Sequence, residues 1–221
     1  SIKEKVDSEE DLLEDYPVML LIDTSSTCMY EDQQDSDSHR NINEANVILQ
    51  HAAFLIESGL KGSDIGIITP YNGQLELLRE IFAQYNSNPT VSKSGGKVLN
   101  MEGIEIKTID GFQGGEKECI LLSLVRSNPG KQVGFLGEKR RINVAITRAK
   151  RHVAVVCDSE TCSSDKFIGT LLNHIEENGL VMPVEMYLDQ HSSIQSNVEL
   201  SSKQSSSSKA NNGVNNVNVQ S

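Results

Sequence analysis

Short apolar runs alternate along this chain with stretches whose apolar residues recur at helical spacing. Pro17-Val-Met-Leu-Leu-Ile22 reads as a buried strand, and the acidic, Ser-rich stretch from Asp23 to about Ser38 as an exposed excursion. Between Asn41 and Ser58, the residues Ala45, Ile48, Leu49, Ala52, Leu55 and Ile56 fall three or four apart and predict a helix, which Gly59 ends. Ile65-Gly-Ile-Ile-Thr69 is the next strand, and Pro70 and Asn72 turn the chain into a helix carrying Leu75, Leu78 and Ile81. A polar, Gly-containing connection over residues 86 to 101 leads to a strand from Ile104 to Ile109. The Gly-rich turn Asp110-Gly-Phe-Gln-Gly-Gly115 interrupts, and Glu118 to Val125 is a further strand. A basic segment from Lys139 to Arg151 has helical spacing, His152-Val-Ala-Val-Val-Cys157 is strand-like, and Phe167 to Glu177 forms the last helix. The alternation predicts an α/β fold with a mostly parallel sheet, helices on both faces and sites at the carboxyl ends of strands.

Composition changes this picture at the ends. Of the 221 residues, residues 1–37 hold twelve Asp or Glu against two Lys, whereas residues 100–158 hold ten Lys or Arg against seven acids. An acidic leader over residues 1–16 thus masks a weakly basic centre in a chain of formal net charge −11. The domain is expected over residues 17–185, and residues 190–221, rich in Ser, Asn and Gln, are expected to be a disordered tail. Cys28, Cys119, Cys157 and Cys162 show no C-x-x-C or metal-ligand spacing and read as reduced thiols. With no apolar signal region and no run of eighteen apolar residues, the expectation is a protein of the cytoplasm or nucleus that does not enter a membrane. A first residue of Ser rather than Met suggests a fragment.

The centre holds the candidate chemistry. Residues 139 to 151 place six cations in thirteen positions. On a helix, Ile142, Ala145, Ile146 and Ala149 would form one buried stripe, and Arg141 and Arg148, seven apart, would project together from the neighbouring face. Paired guanidiniums suit phosphate recognition, because each is planar, permanently charged and able to bond two oxygens at once; a solvated basic helix is the plainer reading of the same run. Two further loops follow strands, Thr69-Pro-Tyr-Asn-Gly-Gln74 and Thr108-Ile-Asp-Gly-Phe-Gln-Gly-Gly-Glu116, and in a parallel sheet all three segments are expected to converge on one edge. The glycines at 111, 114 and 115 would let backbone N–H groups approach a ligand, or would serve only a tight turn. Tyr71 would stack on a base or cap the sheet. His39, His51, His152, His174 and His191 are scattered in sequence, so neither a metal site nor a histidine base is expected. No G-x-x-x-x-G-K-[ST] occurs, and no apolar strand ends in an Asp-Glu pair of the kind that holds Mg²⁺ near such a loop.

Taken in order, the segments resemble the second RecA-like domain of superfamily 1 helicases of the up-frameshift type. Ile65-Gly-Ile-Ile-Thr-Pro-Tyr-Asn-Gly-Gln74 is similar to motif IV, Lys107-Thr-Ile-Asp-Gly-Phe-Gln-Gly-Gly-Glu-Lys117 to motif V and Arg141-Ile-Asn-Val-Ala-Ile-Thr-Arg-Ala-Lys150 to motif VI. Leu122-Ser-Leu-Val-Arg-Ser-Asn128, Val133-Gly-Phe-Leu136 and His152-Val-Ala-Val-Val-Cys-Asp-Ser159 resemble most the immunoglobulin-mu-binding-protein helicases. The resemblance implies a RecA-like, P-loop NTPase-type domain without its own P-loop. It would face a first RecA-like domain across an ATP cleft, with Mg²⁺ held by that first domain, and would act on single-stranded RNA or DNA. It also implies that Arg148 is the arginine reaching the γ-phosphate, and that Glu116 lies near the ribose, with Arg141, Tyr71 and Gln74 around the nucleotide. Thr69, Pro70, Thr108 and Gln113 would line the nucleic-acid channel or link it to the ATP cleft. Family members often carry a larger polar or basic residue where this chain has Gly115, so that side-chain contact is missing. Two functions remain open from sequence: a motor half that is inactive until joined to the first domain, and a nucleic-acid-binding or interaction module that kept the fold and lost the motor.

Overall fold

A computed structural model describes residues 16–35, 38–89 and 98–191 of the chain. Six strands form one sheet in the order β5-β4-β6-β7-β1-β8, all parallel. They are β1 (Met19–Asp23), β4 (Ile65–Thr69), β5 (Glu105–Thr108), β6 (Lys117–Ser123), β7 (Ala149–Cys157) and β8 (Leu180–Pro183). The acidic leader before residue 16 and the Ser/Asn tail after residue 191 lie outside the described residues.

The central strands are apolar on both sides, and their residues divide by parity between two cores. Leu20, Ile22, Ile65, Ile67, Leu121, Ala154 and Val156 face one cluster, which α1 (Ile42–Glu57), α2 (Asn72–Ser87) and α6 (Val184–His191) cover. Leu21, Ile68, Ile120, Leu122, Val153, Val155 and Cys157 face the other. That second face is covered by the connection from β5 to β6, by α3 (Lys139–Ile146), and by α4 (Ser159–Cys162) and α5 (Lys166–Asn178). Burying each of these Leu, Ile and Val side chains contributes about 1.5–3 kcal/mol, which is why the sheet and not the loops fixes the fold.

Local chemistry sets the helix ends. The Asn41 side chain caps α1 by accepting from the N–H groups of Asn43 and Glu44, and Asp165 caps α5 by accepting from Phe167 and Ile168. Asp158 caps α4 through the Thr161 N–H.

Four expectations need correction. The excursion after β1 contains a short antiparallel hairpin, β2 (Asp32–Asp35) with β3 (Ser38–Arg40), anchored inward as described below. The Gly-rich stretch after β5 is not a simple strand-to-strand turn. Because β5 and β6 are parallel and separated by β4, residues 109–116 must carry the chain across the sheet from one edge to the other. Gly66 makes room for this passage: a Cβ there would lie 2.7 Å from the Phe112 ring and 2.8 Å from Ile120.

The basic segment is helical only as far as Ile146. Thr147 caps it, with its Oγ1 bonded to the Asn143 and Val144 carbonyls, and β7 begins at Ala149, paired beside Lys117. A strand position in the centre of the sheet outweighs one more helical turn, so Ile142 and Ala145 are buried on α3 while Ala149 belongs to the sheet. The fourth correction is at the end, where β8 and α6 follow the helix taken as the last; α6 docks through Val184 and Tyr187.

Candidate functional site

The nine residues singled out from sequence separate into two places. At the carboxyl ends of β4 and β5, Thr69 and Thr108 are directly paired in register. Thr69 is 0% exposed and its Oγ1 has no hydrogen-bond partner among the described residues, and Pro70 is buried beside it. Thr108 is half-buried and accepts from the Gly111 N–H at 3.2 Å, closing the first turn of the crossover.

Tyr71 and Gln74, expected around a nucleotide, are also interior, and their side chains bond other elements of the fold. The Tyr71 ring is 1% exposed, and its hydroxyl accepts from Arg126 Nη1 at 3.4 Å and donates to the Val133 carbonyl at 3.4 Å. Burial raises its pKa. Gln74 Oε1 accepts from the Asn41 N–H at 2.7 Å, and its Nε2 donates to the Asn41 carbonyl at 3.1 Å and to Ser123 Oγ at 3.0 Å. These side chains tie α2 to α1 and β6; they cap the sheet.

They belong to a larger buried polar network at that edge which sequence reasoning did not foresee. Glu44 Oε2 accepts from Ser123 Oγ at 2.7 Å and from the Val125 N–H at 2.9 Å. Asn41 Nδ2 donates to the Val125 carbonyl at 3.3 Å, so α1 grips both sides of a residue with φ +73°, rare for a β-branched side chain. Burial pushes the Glu44 carboxyl up to about 8. One step further, Glu31 of the supposed solvated excursion accepts from Arg126 Nε at 3.0 Å, from the Ser127 N–H and from Asn128 Nδ2 at 3.1 Å. The only sequence signal for this was the Arg-Ser-Asn run after β6; nothing in the acidic loop distinguishes Glu31 from its neighbours.

The second place lies on the opposite face from α1 and α2. The crossover and α3 border an open cleft of ≈ 490 Å³ lined by Ile109, Asp110, Gln113, Glu138, Arg140 and Arg141 among others. Arg141 Nη2 donates to Asp110 Oδ2 at 2.7 Å, joining motif VI to motif V, and Gln113 is exposed on the same cleft. Arg148 does not align with Arg141 on one helix, as expected from the spacing, because α3 has already ended. It stands instead just before β7, where its carbonyl accepts from the Lys117 N–H at 3.0 Å. Since Lys117 and Ala149 are register partners, the preceding residues Glu116 and Arg148 are neighbours at the amino ends of β6 and β7. The three segments therefore do not converge on one carboxyl edge: motif IV and the start of motif V are there, while Glu116 and Arg148 are at the other.

Arg148 is half-buried, with Nε donating to the Val144 carbonyl at 3.1 Å and Nη2 to Thr147 Oγ1 at 3.2 Å. Among the described residues no carboxylate pairs with it, in contrast to Arg141. A guanidinium braced by carbonyl and hydroxyl oxygens yet lacking a counter-ion is chemically ready for an anion. Among the described residues no group of three His, Cys, Asp or Glu could hold a metal, and no helix is long and apolar enough to cross a membrane.

A six-stranded all-parallel sheet covered by helices on both faces is the architecture of a RecA-like α/β domain. The chain belongs to the AAA domain family, which matches residues 1–160, and within it to the superfamily 1 helicases of the up-frameshift type. It is 44% identical over 172 residues to DNA-binding protein SMUBP-2 of Mesocricetus auratus, covering 77% of this chain and 16% of that protein. It is 38% identical over 186 residues to DNA polymerase alpha-associated DNA helicase A of Schizosaccharomyces pombe, covering 80% of this chain and 26% of the relative. A third relative, DNA replication ATP-dependent helicase/nuclease DNA2 of Saccharomyces cerevisiae, is 35% identical over 173 residues, 78% of this chain and 10% of its own length. The chain thus spans between about a tenth and a quarter of these proteins.

Proposed function

We propose that residues 17–185 act as the second motor domain of an ATP-dependent helicase that moves 5′ to 3′ along single-stranded RNA or DNA. The observation that supports this reading is that Glu116 and Arg148 directly precede the register partners Lys117 and Ala149 at the amino ends of β6 and β7, while among the described residues no ion pair holds Arg148. The printed names of the relatives, among them a DNA helicase and an ATP-dependent helicase, support it.

ATP supplies the transferable γ-phosphoryl group, and Mg²⁺ would be held with it by the first domain. This chain's part is electrostatic. Arg148 presents a planar, permanently charged fork where negative charge grows, an effect worth roughly 10³ to 10⁵ in rate. Glu116 accepts from a ribose hydroxyl beside it, and Arg141 is held in place by Asp110. Gly115 offers no side chain, so the phosphate face rests on Arg148. Thr108 and Gln113 mark the path by which motif V links the nucleic-acid side of the domain to the nucleotide side, and the buried Thr69 and Pro70 shape that path from within.

The 221-residue chain alone is expected to show no nucleic-acid-stimulated ATPase. A chimera in which residues 17–191 replace the matching segment of SMUBP-2 should hydrolyse ATP in the same assay. Turnover by the pure chain, or an inert chimera that still binds single strands, would favour the non-catalytic binding module instead.

A further inference from the structure

Two of the scattered histidines meet in the core. His51 of α1 is 0% exposed and His152 of β7 is 1% exposed, and their Nε2 atoms stand 3.1 Å apart. His152 Nδ1 lies 2.7 Å from the Pro17 carbonyl, at the entry to β1, and His51 Nδ1 lies 2.6 Å from the Tyr187 hydroxyl of α6.

Hydrogen-bond chemistry fixes the direction of this chain. A carbonyl only accepts, so His152 must carry its proton on Nδ1, which leaves Nε2 of a neutral ring as a lone pair. His51 must then donate from Nε2, its Nδ1 is the acceptor, and the Tyr187 O–H donates to it. One arrangement of protons satisfies all four groups.

We propose that Tyr187, His51, His152 and the Pro17 carbonyl form a one-directional hydrogen-bond latch, fastening α6 and the chain entering β1 to the same face of the sheet, and that uptake of one proton opens it. A proton added to His152 would fall on Nε2 and set two N–H groups head to head across 3.1 Å. A proton added to His51 would leave a buried cation with no counter-ion among the described residues. The titratable groups facing the pair are Tyr16 from the chain entering β1, Tyr187 and His191 from α6, and Cys119 of β6 behind Tyr16. Among the described residues none of them is a carboxylate. Tyr16 closes the outside, with its ring centroid 5.0 Å from that of His152 and 5.4 Å from that of Phe54. His191 stacks on Tyr187 at 4.6 Å, so the end of α6 depends on the same cluster.

Burial supports the neutral state, holding His152 down to about 4 and His51 well below its ordinary value. Because both folded values are depressed, the latch contributes fully above about 6.5, the ordinary histidine value, and its contribution falls as pH drops from there towards about 4.

The test uses the 221-residue chain labelled with ¹⁵N-histidine. Long-range ¹H–¹⁵N spectra at pH 7.5 should show His51 as the Nε2–H tautomer and His152 as the Nδ1–H tautomer. Between pH 7 and 4.5, amide protection factors of α6 and of residues 16–18 should fall together, ahead of those in β4 and β6. Tyr187→Phe, which removes only the terminal donor, should lower α6 protection several-fold at pH 7 and leave β4 and β6 unchanged. The opposite tautomer at either histidine, a charged ring at pH 7.5, or α6 protection indifferent to both acid and Tyr187→Phe would overturn the latch.

Discussion

The carboxyl edge of the sheet and the amino ends of β6 and β7 both gather polar residues, but they settle their charges differently. At the carboxyl edge, Glu31 has Arg126, Glu44 has Ser123 and the Val125 N–H, and Gln74 has Asn41, all inside the domain. At the amino ends, Glu116 is exposed and Arg148 bonds the Val144 carbonyl and Thr147 hydroxyl oxygens, with no carboxylate partner among the described residues. Most buried polar groups find partners within the fold, although Thr69 Oγ1 and Glu44 Oε1 at the carboxyl edge have none among the described residues. The first region therefore holds loops in place, and the second is the one to which the proposed function assigns the phosphate.

The contrast breaks most readily at Arg148. In the SMUBP-2 chimera, Arg148→Ala should lower kcat by roughly 10³ to 10⁵ while ATP binding stays largely intact. Arg148→Lys should recover little of that loss, because lysine keeps the charge and loses the fork. Steady-state ATPase assays check both, and Arg151→Ala, beyond motif VI, should cost only a small part of kcat.

Gly66→Ala should disturb the link between the two regions without touching either. A methyl group 2.7 Å from the Phe112 ring must push the crossover off β4, so the variant is expected to lose about 1–3 kcal/mol in urea denaturation. A melting temperature equal to that of the parent would show that Phe112 does not anchor motif V.

The smallest effect sharpens the reading of the carboxyl edge. Glu44 is raised to about 8 in the fold against an ordinary 4.5, so it stays protonated while the unfolded chain ionises. Its contribution to stability therefore declines as pH rises from about 4.5 to 8. Glu44→Gln keeps the shape and removes that ionisation, so its stability should fall less between pH 5 and pH 8 than that of the parent. Equal slopes in urea titrations would mean that Glu44 is ionised in place.

Much of this was legible in the sequence, for identifiable reasons. β4 is found residue for residue and α1 to within a residue at each end, because apolar runs and helical spacing report burial directly. The motifs carry the family, since three of them in order are specific. What misled was local inference about a non-local result. Residues 139–151 have helical spacing throughout, yet the pairing of Ala149 with Lys117, 32 positions away in the chain, turned the last part into strand. The partners of Tyr71 and Gln74, namely Arg126, Val133, Asn41 and Ser123, come from other elements that the sequence alone does not bring near. The inward turn of Glu31 and the meeting of His51 with His152 are hidden for the same reason.

The division between the two regions is tested most directly by photo-crosslinking in the chimera, using ATP with a photoreactive group on its γ-phosphate and mapping the labelled peptides by mass spectrometry. Label on residues 113–117 or 140–150, lost in Arg148→Ala, is the predicted result; label on residues 69–74 would contradict the account.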